Sequence, residues 1–212
     1  MPYSIDLPIL LKIEAIEAKG MANPVTFNVG QGELWMLSGV SGVGKSQFLK
    51  ALADLIPHSG EAWLNGIAQE AICPATWRGK VMYFAAETAW WLDSMSAHFE
   101  SPPSEALLHS IGLTQSILER HPDDCSSGEK QRLALLRGLA LQPAILLLDE
   151  ITANLDFDST LKVEQLLQSY LQPEGIQPIP ERAIIWITHD VMQGKRLFLD
   201  QRIIQLSSKG SV

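Results

Sequence analysis

The sequence predicts an α/β protein with a mostly parallel sheet covered on both faces, together with a short helical subdomain. Apolar, strand-sized runs alternate with helical segments along most of the 212 residues, a pattern typical of parallel sheets. A glycine-rich turn at residues 39–46 follows one such run and opens a helix. Two further apolar runs, 144–148 and 183–187, end in polar residues, as buried strands do at the edge of a sheet.

The first half of the chain is predicted to be rich in strands. Residues 9–16 and 25–29 mix apolar and polar side chains in alternation, which indicates half-buried strands. Residues 47–56 place apolar side chains at helical spacing and stop at Pro57, so a helix is expected there. The strands expected in this half lie at 9–16, 25–29, 34–37, 61–64 and 81–85.

The second half is predicted to add the helical subdomain and then return to alternating strands and helices. Residues 88–124 are helical and aromatic in character, with Ser104 as a helix entry after two prolines. We expect one domain, 1–212, with the subdomain inserted at 88–141. The later elements expected are a helix at 128–141, a strand at 144–149, a helix at 157–171, a surface loop at 172–181, and strands at 183–188 and 202–206.

Composition and charge exclude several classes of protein. The 16 Lys and Arg against 24 Asp and Glu give a net charge of −8, which disfavours a nucleic-acid partner. No apolar run approaches the roughly 18–20 residues of a membrane-spanning helix, and the N-terminus does not resemble a secretory signal. Two cysteines are too few for a disulfide framework. A soluble, acidic, cytoplasmic protein is therefore expected.

The glycine-rich turn predicts nucleoside triphosphate binding. Residues 39–46 fit the pattern G-x-x-x-x-G-K-[ST] between a strand and a helix, where inward-pointing N–H groups and the helix N-terminus surround phosphate oxygens. Lys45 is expected at the β- and γ-phosphates, and the Ser46 hydroxyl on Mg²⁺. The predicted nucleotide-binding residues of this segment are Gly39, Val40, Ser41, Gly42, Val43, Gly44, Lys45, Ser46 and Gln47.

Two later features, an acid pair and a histidine, point to the same chemistry, and a third marks the start of a helix. Asp149 and Glu150 end an apolar strand, where Asp149 is suited to hold Mg²⁺ and Glu150 to polarise a water. Ser126 with Glu129 three positions later predicts a capping box at a helix start. His189 follows the next apolar strand and is a candidate for sensing the γ-phosphate.

The order of these motifs resembles the ATP-binding cassette (ABC) ATPase family over nearly the whole chain. Residues 39–46 match Walker A, Asp149 and Glu150 match Walker B and its catalytic glutamate, and Asp156 and His189 match the D-loop and the switch histidine. The residues that match the family's signature are Ser126, Ser127, Gly128 and Glu129. Gly128 lies 21 residues before Asp149, and His189 lies 39 after Glu150, as the family's spacing requires.

The resemblance implies a P-loop NTPase core of ABC type with an N-terminal antiparallel β portion. It also implies a head-to-tail dimer of two copies with two ATP molecules at the interface. Each ATP would lie on one copy's Walker A and under the other copy's signature helix, whose Ser126 offers a donor to the γ-phosphate. Glu150 would act as base, His189 would hold the γ-phosphate and the water, and Asp156 would link the two sites.

The sequence departs from the family pattern at three places. Ala86 stands where the family has its Q-loop glutamine, so we hypothesise that Glu87 supplies the Mg²⁺ ligand instead. The signature has Cys125 for leucine and Ser127 for the first glycine, which keeps the side chain small. No aromatic residue lies between Tyr3 and Phe27, where cassettes stack the adenine, so weak discrimination between bases is expected.

The leading functional prediction is the ATP-hydrolysing subunit of a transporter that powers a separate membrane permease, located peripherally on the inner face of the cell membrane. The chain is most similar to small bacterial cassettes, including those of iron-export type. Trp90-Trp91 lies in the stretch that faces the permease in such cassettes; burial in the core is slightly favoured over exposure in a docking groove. A cassette acting on the ribosome or DNA is disfavoured by size and charge. A regulatory module with low turnover stays open because of Ala86.

Overall fold

The computed structural model describes residues 8–172, 180–198 and 202–207; Tyr3 and most of the loop predicted at 172–181 lie outside them. The strands are β1 (Ile9–Ala18), β2 (Val25–Gly30), β3 (Leu34–Gly39), β4 (His58–Leu64), β5 (Ile67–Ala68), β6 (Val81–Phe84), β7 (Ile145–Asp149), β8 (Ala183–Ile187) and β9 (Ile203–Leu206). The helices are α1 (Lys45–Leu52), α2 (Pro74–Lys80), α3 (Glu105–Ser110), α4 (Ser127–Leu139), α5 (Phe157–Leu171) and α6 (Val191–Leu197).

A parallel sheet forms the centre of the described part of the chain. Its strand order is β6-β7-β8-β3-β9, and every neighbouring pair is parallel. The middle strands β7 and β8 are buried along their whole length, because helices cover both faces. Parallel strands end at the same edge, so the segments after β3, β7 and β8 are brought together there. The predicted parallel core is confirmed.

An antiparallel sheet, in the order β2-β1-β4-β5, packs beside it. Residues of β1 share one apolar cluster with α1 and with the α1-facing side of the parallel sheet; Ile13, Phe48 and Leu147 are completely buried in it. Burial of such side chains contributes about 1.5–3 kcal/mol each. The N-terminal antiparallel β portion implied by the resemblance is therefore present.

Residues 88–141 contain α3, α4 and three short 3-10 helices at Ser96–His98, Gln115–Glu119 and Pro122–Asp124. They enclose an apolar cluster of their own, in which Met95, Leu108 and Leu133 are fully buried. The stretch 88–104 contains no α-helix, contrary to its predicted helical character. Its apolar and aromatic side chains do not recur at helical spacing, and the two prolines before Ser104 exclude a helix there. The boundaries 88–141 of a subdomain stay a prediction.

Several elements differ from the sequence-based expectation. The helix expected at 47–56 begins at Lys45 and ends at Leu52, because Asp54 adopts a left-handed φ of +56°. Helices α2 and α6 and the short β5 were not predicted. The helix expected at 157–171 is confirmed as α5. In the described ranges no helix is both long and apolar enough to cross a bilayer.

Candidate functional site

The turn at 39–46 joins β3 to α1, and it packs against the backbone of two other segments. Gly44, immediately before α1, has a φ of +101°, and a Cβ there would lie 2.7 Å from the carbonyl oxygen of Gly20. A Cβ on Gly39 would lie 2.7 Å from the carbonyl oxygen of Leu206. Only glycine allows these approaches, so the turn needs Gly39 and Gly44 for packing as well as for N–H geometry.

Lys45 is the cation of this turn. Its Nζ donates hydrogen bonds to the carbonyl oxygens of Gly39 at 2.8 Å and Val40 at 3.3 Å. The side chain is only 7% exposed, so its charge is held in place across the turn. Lys45 is also the first residue of α1, and the N-terminus of α1 adds positive potential. The turn and α1 together form a site for an anion.

A cavity of about 360 Å³ opens on the turn. Its lining residues are Gly20, Ser41, Gly42, Gly44, Lys45, Ser46, Gln47, Glu150 and His189. The structure thus brings most of the predicted phosphate-binding residues together with the predicted base and the switch histidine. Neither Val43, which is buried in the core, nor Val40, which is exposed, lines the cavity.

Glu150 and His189 form a pair at the end of the adjacent strands β7 and β8. His189 Nε2 lies 3.0 Å from Glu150 Oε1. Glu150 has a left-handed φ of +53°, and its N–H donates to the carbonyl oxygen of Ile187 at 3.0 Å. A left-handed backbone in a non-glycine residue is costly, and here it aims the carboxylate into the cavity instead of continuing the strand. The pair is arranged to accept and hold a proton.

Asp149, the last residue of β7, is 7% exposed and bonded to a residue that the sequence patterns did not single out. Tyr83 on β6 donates its hydroxyl hydrogen to Asp149 Oδ2 at 2.7 Å. Burial, followed by the hydrogen bond and the charge of Asp149, raises the pKa of the Tyr83 hydroxyl above its usual value. The signal in the sequence was a hydroxyl-bearing residue inside the otherwise apolar strand β6.

The predicted ligands Ser46 and Asp149 fit a Mg²⁺ ion by their chemistry. A hydroxyl and a carboxylate supply hard oxygen atoms, and Mg²⁺ is usually held by one or two carboxylates together with substrate phosphates. Glu87 is placed elsewhere: it is exposed and lines a second cavity, of about 650 Å³, between β6 and α4. Whether Glu87 replaces the missing glutamine stays a prediction.

The predicted signature begins α4 with the expected capping box. Ser126 Oγ accepts a hydrogen bond from the Glu129 N–H at 3.2 Å, and Glu129 Oε2 accepts one from the Ser126 N–H at 2.8 Å. Burial acts to raise the pKa of Glu129, but the hydrogen bonds from Ser126 outweigh it and lower that pKa below its ordinary value. The helix start is therefore capped by reciprocal hydrogen bonds, and it lies outside the cavity that Lys45 lines in the same chain.

The signature helix also contacts the segment that contains Asp156. A Cβ on Gly128 would lie 3.1 Å from the Leu155 side chain, which makes this contact close. Asp156 caps α5 by accepting a hydrogen bond from the Ser159 N–H at 2.8 Å, and Arg132 of α4 donates to Ser159 Oγ at 2.7 Å. These contacts with Ser159 lower the pKa of Asp156. The signature and the D-loop are thus tied together by direct contacts.

A glycine-rich turn that leads from a parallel strand into a helix, with a lysine beneath it, is how P-loop proteins bind nucleoside triphosphates. Fold and site place the chain in that class. The ABC transporter family profile matches residues 22–153, more than half of the chain. The chain belongs to the ABC transporter family.

Two relatives illustrate the similarity. The probable iron export ATP-binding protein FetA of Escherichia coli is 33% identical over 180 residues, which cover 79% of this chain and 77% of that protein. The lipoprotein-releasing system ATP-binding protein LolD of Psychrobacter arcticus is 32% identical over 182 residues, covering 76% and 77%. The predicted similarity to cassettes of iron-export type agrees with the first of these.

Two solved structures share the fold. A dimeric post-hydrolysis state of the ATP-binding cassette MJ0796 with ADP and Pi superposes with a TM-score of 0.74 at 21% identity, covering 94% of this chain and 95% of that one. A bacterial Atm1-family ABC exporter with ATP bound gives a TM-score of 0.75 at 18% identity, covering 96% of this chain and 38% of that one. The predicted ABC-type fold is confirmed.

Proposed function

We propose that this chain is the ATP-hydrolysing subunit of an ABC transporter and that it powers a separate membrane permease. The observation that carries the proposal is the Glu150–His189 pair, 3.0 Å apart, in one cavity with Lys45. A module that only bound nucleotide would not need a carboxylate held in a costly conformation beside a histidine. The relatives in iron export and lipoprotein release are named as ATP-binding proteins, which supports the same role.

The side chains of the cavity divide the reaction between them. Lys45 and the N–H groups at the start of α1 bind the β- and γ-phosphates and stabilise the charge that develops on them. Glu150 accepts a proton from the water that attacks the γ-phosphate. His189, hydrogen-bonded to Glu150, holds that geometry. Ser46 and Asp149 would hold a Mg²⁺ ion, which would neutralise charge on the phosphates.

Two copies complete the site. Ser126 and the N-terminus of α4 offer donors and positive potential for a γ-phosphate, yet they do not line the cavity of their own chain. In a head-to-tail dimer they face the ATP bound by the other copy. Phe157, Val191 and Met192 are each more than 60% exposed near this edge of the sheet, and such apolar surface favours association. ATP then holds the two copies together, and hydrolysis releases them.

The permease is proposed to dock on the cavity between β6 and α4. Trp91 contacts His98 and Arg137 of the cavity lining and is 70% exposed, so the favoured expectation of burial is wrong for Trp91. Trp90 instead packs against the apolar cluster of residues 88–141. His98 Nε2 accepts hydrogen bonds from the Trp91 and Leu92 N–H groups at 2.9 and 3.0 Å, and the Arg137 guanidinium lies 5.4 Å from the Trp91 ring. These contacts fix the ring on the surface, where aromatic side chains anchor interfaces. Docking there places the chain at the inner face of the membrane.

Replacement of Glu150 tests the proposed function. Glu150→Gln removes the proton acceptor and keeps the shape, so ATP hydrolysis is expected to fall by at least about a hundredfold while ATP binding persists. Bound but unhydrolysed ATP is then expected to shift the protein from monomer to dimer in size-exclusion chromatography. Glu119→Gln, at an exposed position away from the cavity, is the matched control and should behave as the parent. ATP hydrolysis by Glu150→Gln at the parental rate would contradict the proposed role of Glu150 as proton acceptor.

A further inference from the structure

The contact between Tyr83 and Asp149 joins two neighbouring strands at the end that carries the site. Strands β6 and β7 are parallel, and Tyr83 is in register with Leu147. Residues two apart in a strand share a face, so Asp149 lies one step further along on the side that Tyr83 also faces. The tyrosine ring spans this step, and its hydroxyl reaches Asp149 Oδ2 at 2.7 Å. The contact is thus built into the pairing of the sheet.

The surroundings keep both partners in place. Asp149 is 7% exposed, and a buried carboxylate is costly unless it accepts hydrogen bonds. Across the described ranges, Tyr83 is the side chain that donates one to it. The ammonium of Lys50, on the helix that begins in the glycine-rich turn, lies 5.7 Å from the centre of the Tyr83 ring. Tyr83 is therefore packed between the strand of Asp149 and the phosphate-binding helix.

Ala86 leaves the end of β6 without a polar side chain. Its methyl group offers no hydrogen bond to an ion or to a water. Three residues earlier on the same segment, Tyr83 contributes the polar atom that β6 directs toward Asp149. The Tyr83 hydroxyl donates its hydrogen bond to Asp149 Oδ2, and Asp149 Oδ1 takes no part in that bond.

We propose that Tyr83 is a positioning residue for the metal site: its hydroxyl holds the Asp149 carboxylate in the rotamer that presents Oδ1 to the Mg²⁺ ion accompanying ATP. Tyr83 touches neither the nucleotide nor the ion and acts through Asp149. The inference rests on the proposed function for the identity of the ligands. Partners of this kind typically contribute 10–100-fold to metal affinity.

The test is a titration of Mn²⁺, a spectroscopic substitute for Mg²⁺, into the full chain carrying a non-hydrolysable ATP analogue. Free Mn²⁺ is measured by electron paramagnetic resonance. Tyr83→Phe keeps the ring and removes the hydroxyl, so Mn²⁺ affinity is expected to fall at least about tenfold. Affinity for the analogue in excess EDTA should stay within twofold of the parent, since the phosphate-binding residues are untouched.

Tyr170→Phe is the matched control. Tyr170 is also half-buried, and its hydroxyl donates to the carbonyl oxygen of Pro143 at 2.7 Å, away from the cavity. This variant should bind Mn²⁺ as the parent does. In Asp149→Asn, which lacks the carboxylate to be oriented, the further change Tyr83→Phe should have little effect on Mn²⁺ affinity.

The outcomes separate the two proposals. Equal Mn²⁺ affinity in the parent and in Tyr83→Phe would overturn the role of Tyr83, and so would an equal loss in Tyr170→Phe. Because the titration needs no turnover, a parent that binds Mn²⁺ tenfold more tightly than Tyr83→Phe but hydrolyses no ATP would support this inference and refute the proposed ATPase.

Discussion

Glu150, which lines the cavity at the glycine-rich turn, is held in a backbone conformation that residues other than glycine rarely adopt. Glu150 adopts a left-handed φ of +53° directly after a buried strand. The conformation is stabilised by the hydrogen bond from its N–H to the Ile187 carbonyl and by the contact with His189. Position-specific strain of this kind is typical of functional residues, which is why Glu150 is the informative residue to replace.

The segment beside the phosphate-binding turn predicts weak base selectivity. Residues 8–26 contain no aromatic side chain, and the segment packs against the turn through the backbone of Gly20 and Met21. A base stack contributes about 1–3 kcal/mol to binding. Without it, binding depends mainly on the triphosphate that ATP and GTP share, so their affinities are expected to lie within about tenfold of each other. Competition of each nucleotide against a fluorescent ATP analogue measures this ratio. A preference for ATP above a hundredfold would contradict the prediction.

At the scale of elements, the packing of α4 on β6 depends on a glycine within a helix. A Cβ on Gly138 would overlap the Phe84 ring and lie 3.1 Å from Met82 Sδ. Alanine favours the helix by about 0.5–1 kcal/mol over glycine, but overpacking costs about 1–3 kcal/mol. The close approach of α4 to β6 therefore outweighs helix propensity at this position.

Gly138→Ala is expected to lower the free energy of unfolding by about 1–2 kcal/mol, measured by urea denaturation. Gly79→Ala is the matched control: Gly79 also lies in a helix, α2, and a Cβ there would have no neighbour within 4 Å. That variant should be neutral or slightly stabilised. Equal effects of the two changes would show that helix propensity, not packing, controls this contact.

At the scale of the whole molecule, a complete site needs Lys45 from one copy and Ser126 from the other. Lys45→Ala and Ser126→Arg should each abolish hydrolysis alone, because every site in either dimer lacks one partner. When the two variants are mixed in equal amounts, half of the dimers are mixed and each of these holds one intact site. About a quarter of the parental activity should return. An inactive mixture in which an affinity tag on one variant also recovers the other variant would contradict the head-to-tail arrangement.

The residues that bear the chemistry and the type of sheet follow from the amino-acid sequence alone. The turn at 39–46, the acids after β7, His189 after β8 and the capping box at Ser126 are local patterns, and local patterns follow from backbone geometry and hydrogen bonding within a few residues. The alternation of apolar runs with helical segments likewise specified parallel strands, whose ends must meet at one edge.

Which side chains meet depends instead on the packing of distant segments. Tyr83 and Asp149 are 66 residues apart, and their contact exists because β6 pairs with β7 in a particular register. The exposure of Trp91 and the position of Glu87 in the β6–α4 cavity depend on how residues 88–104 pack without an α-helix. Such contacts arise from the order of strands and the packing of the folded chain, and no local pattern encodes either.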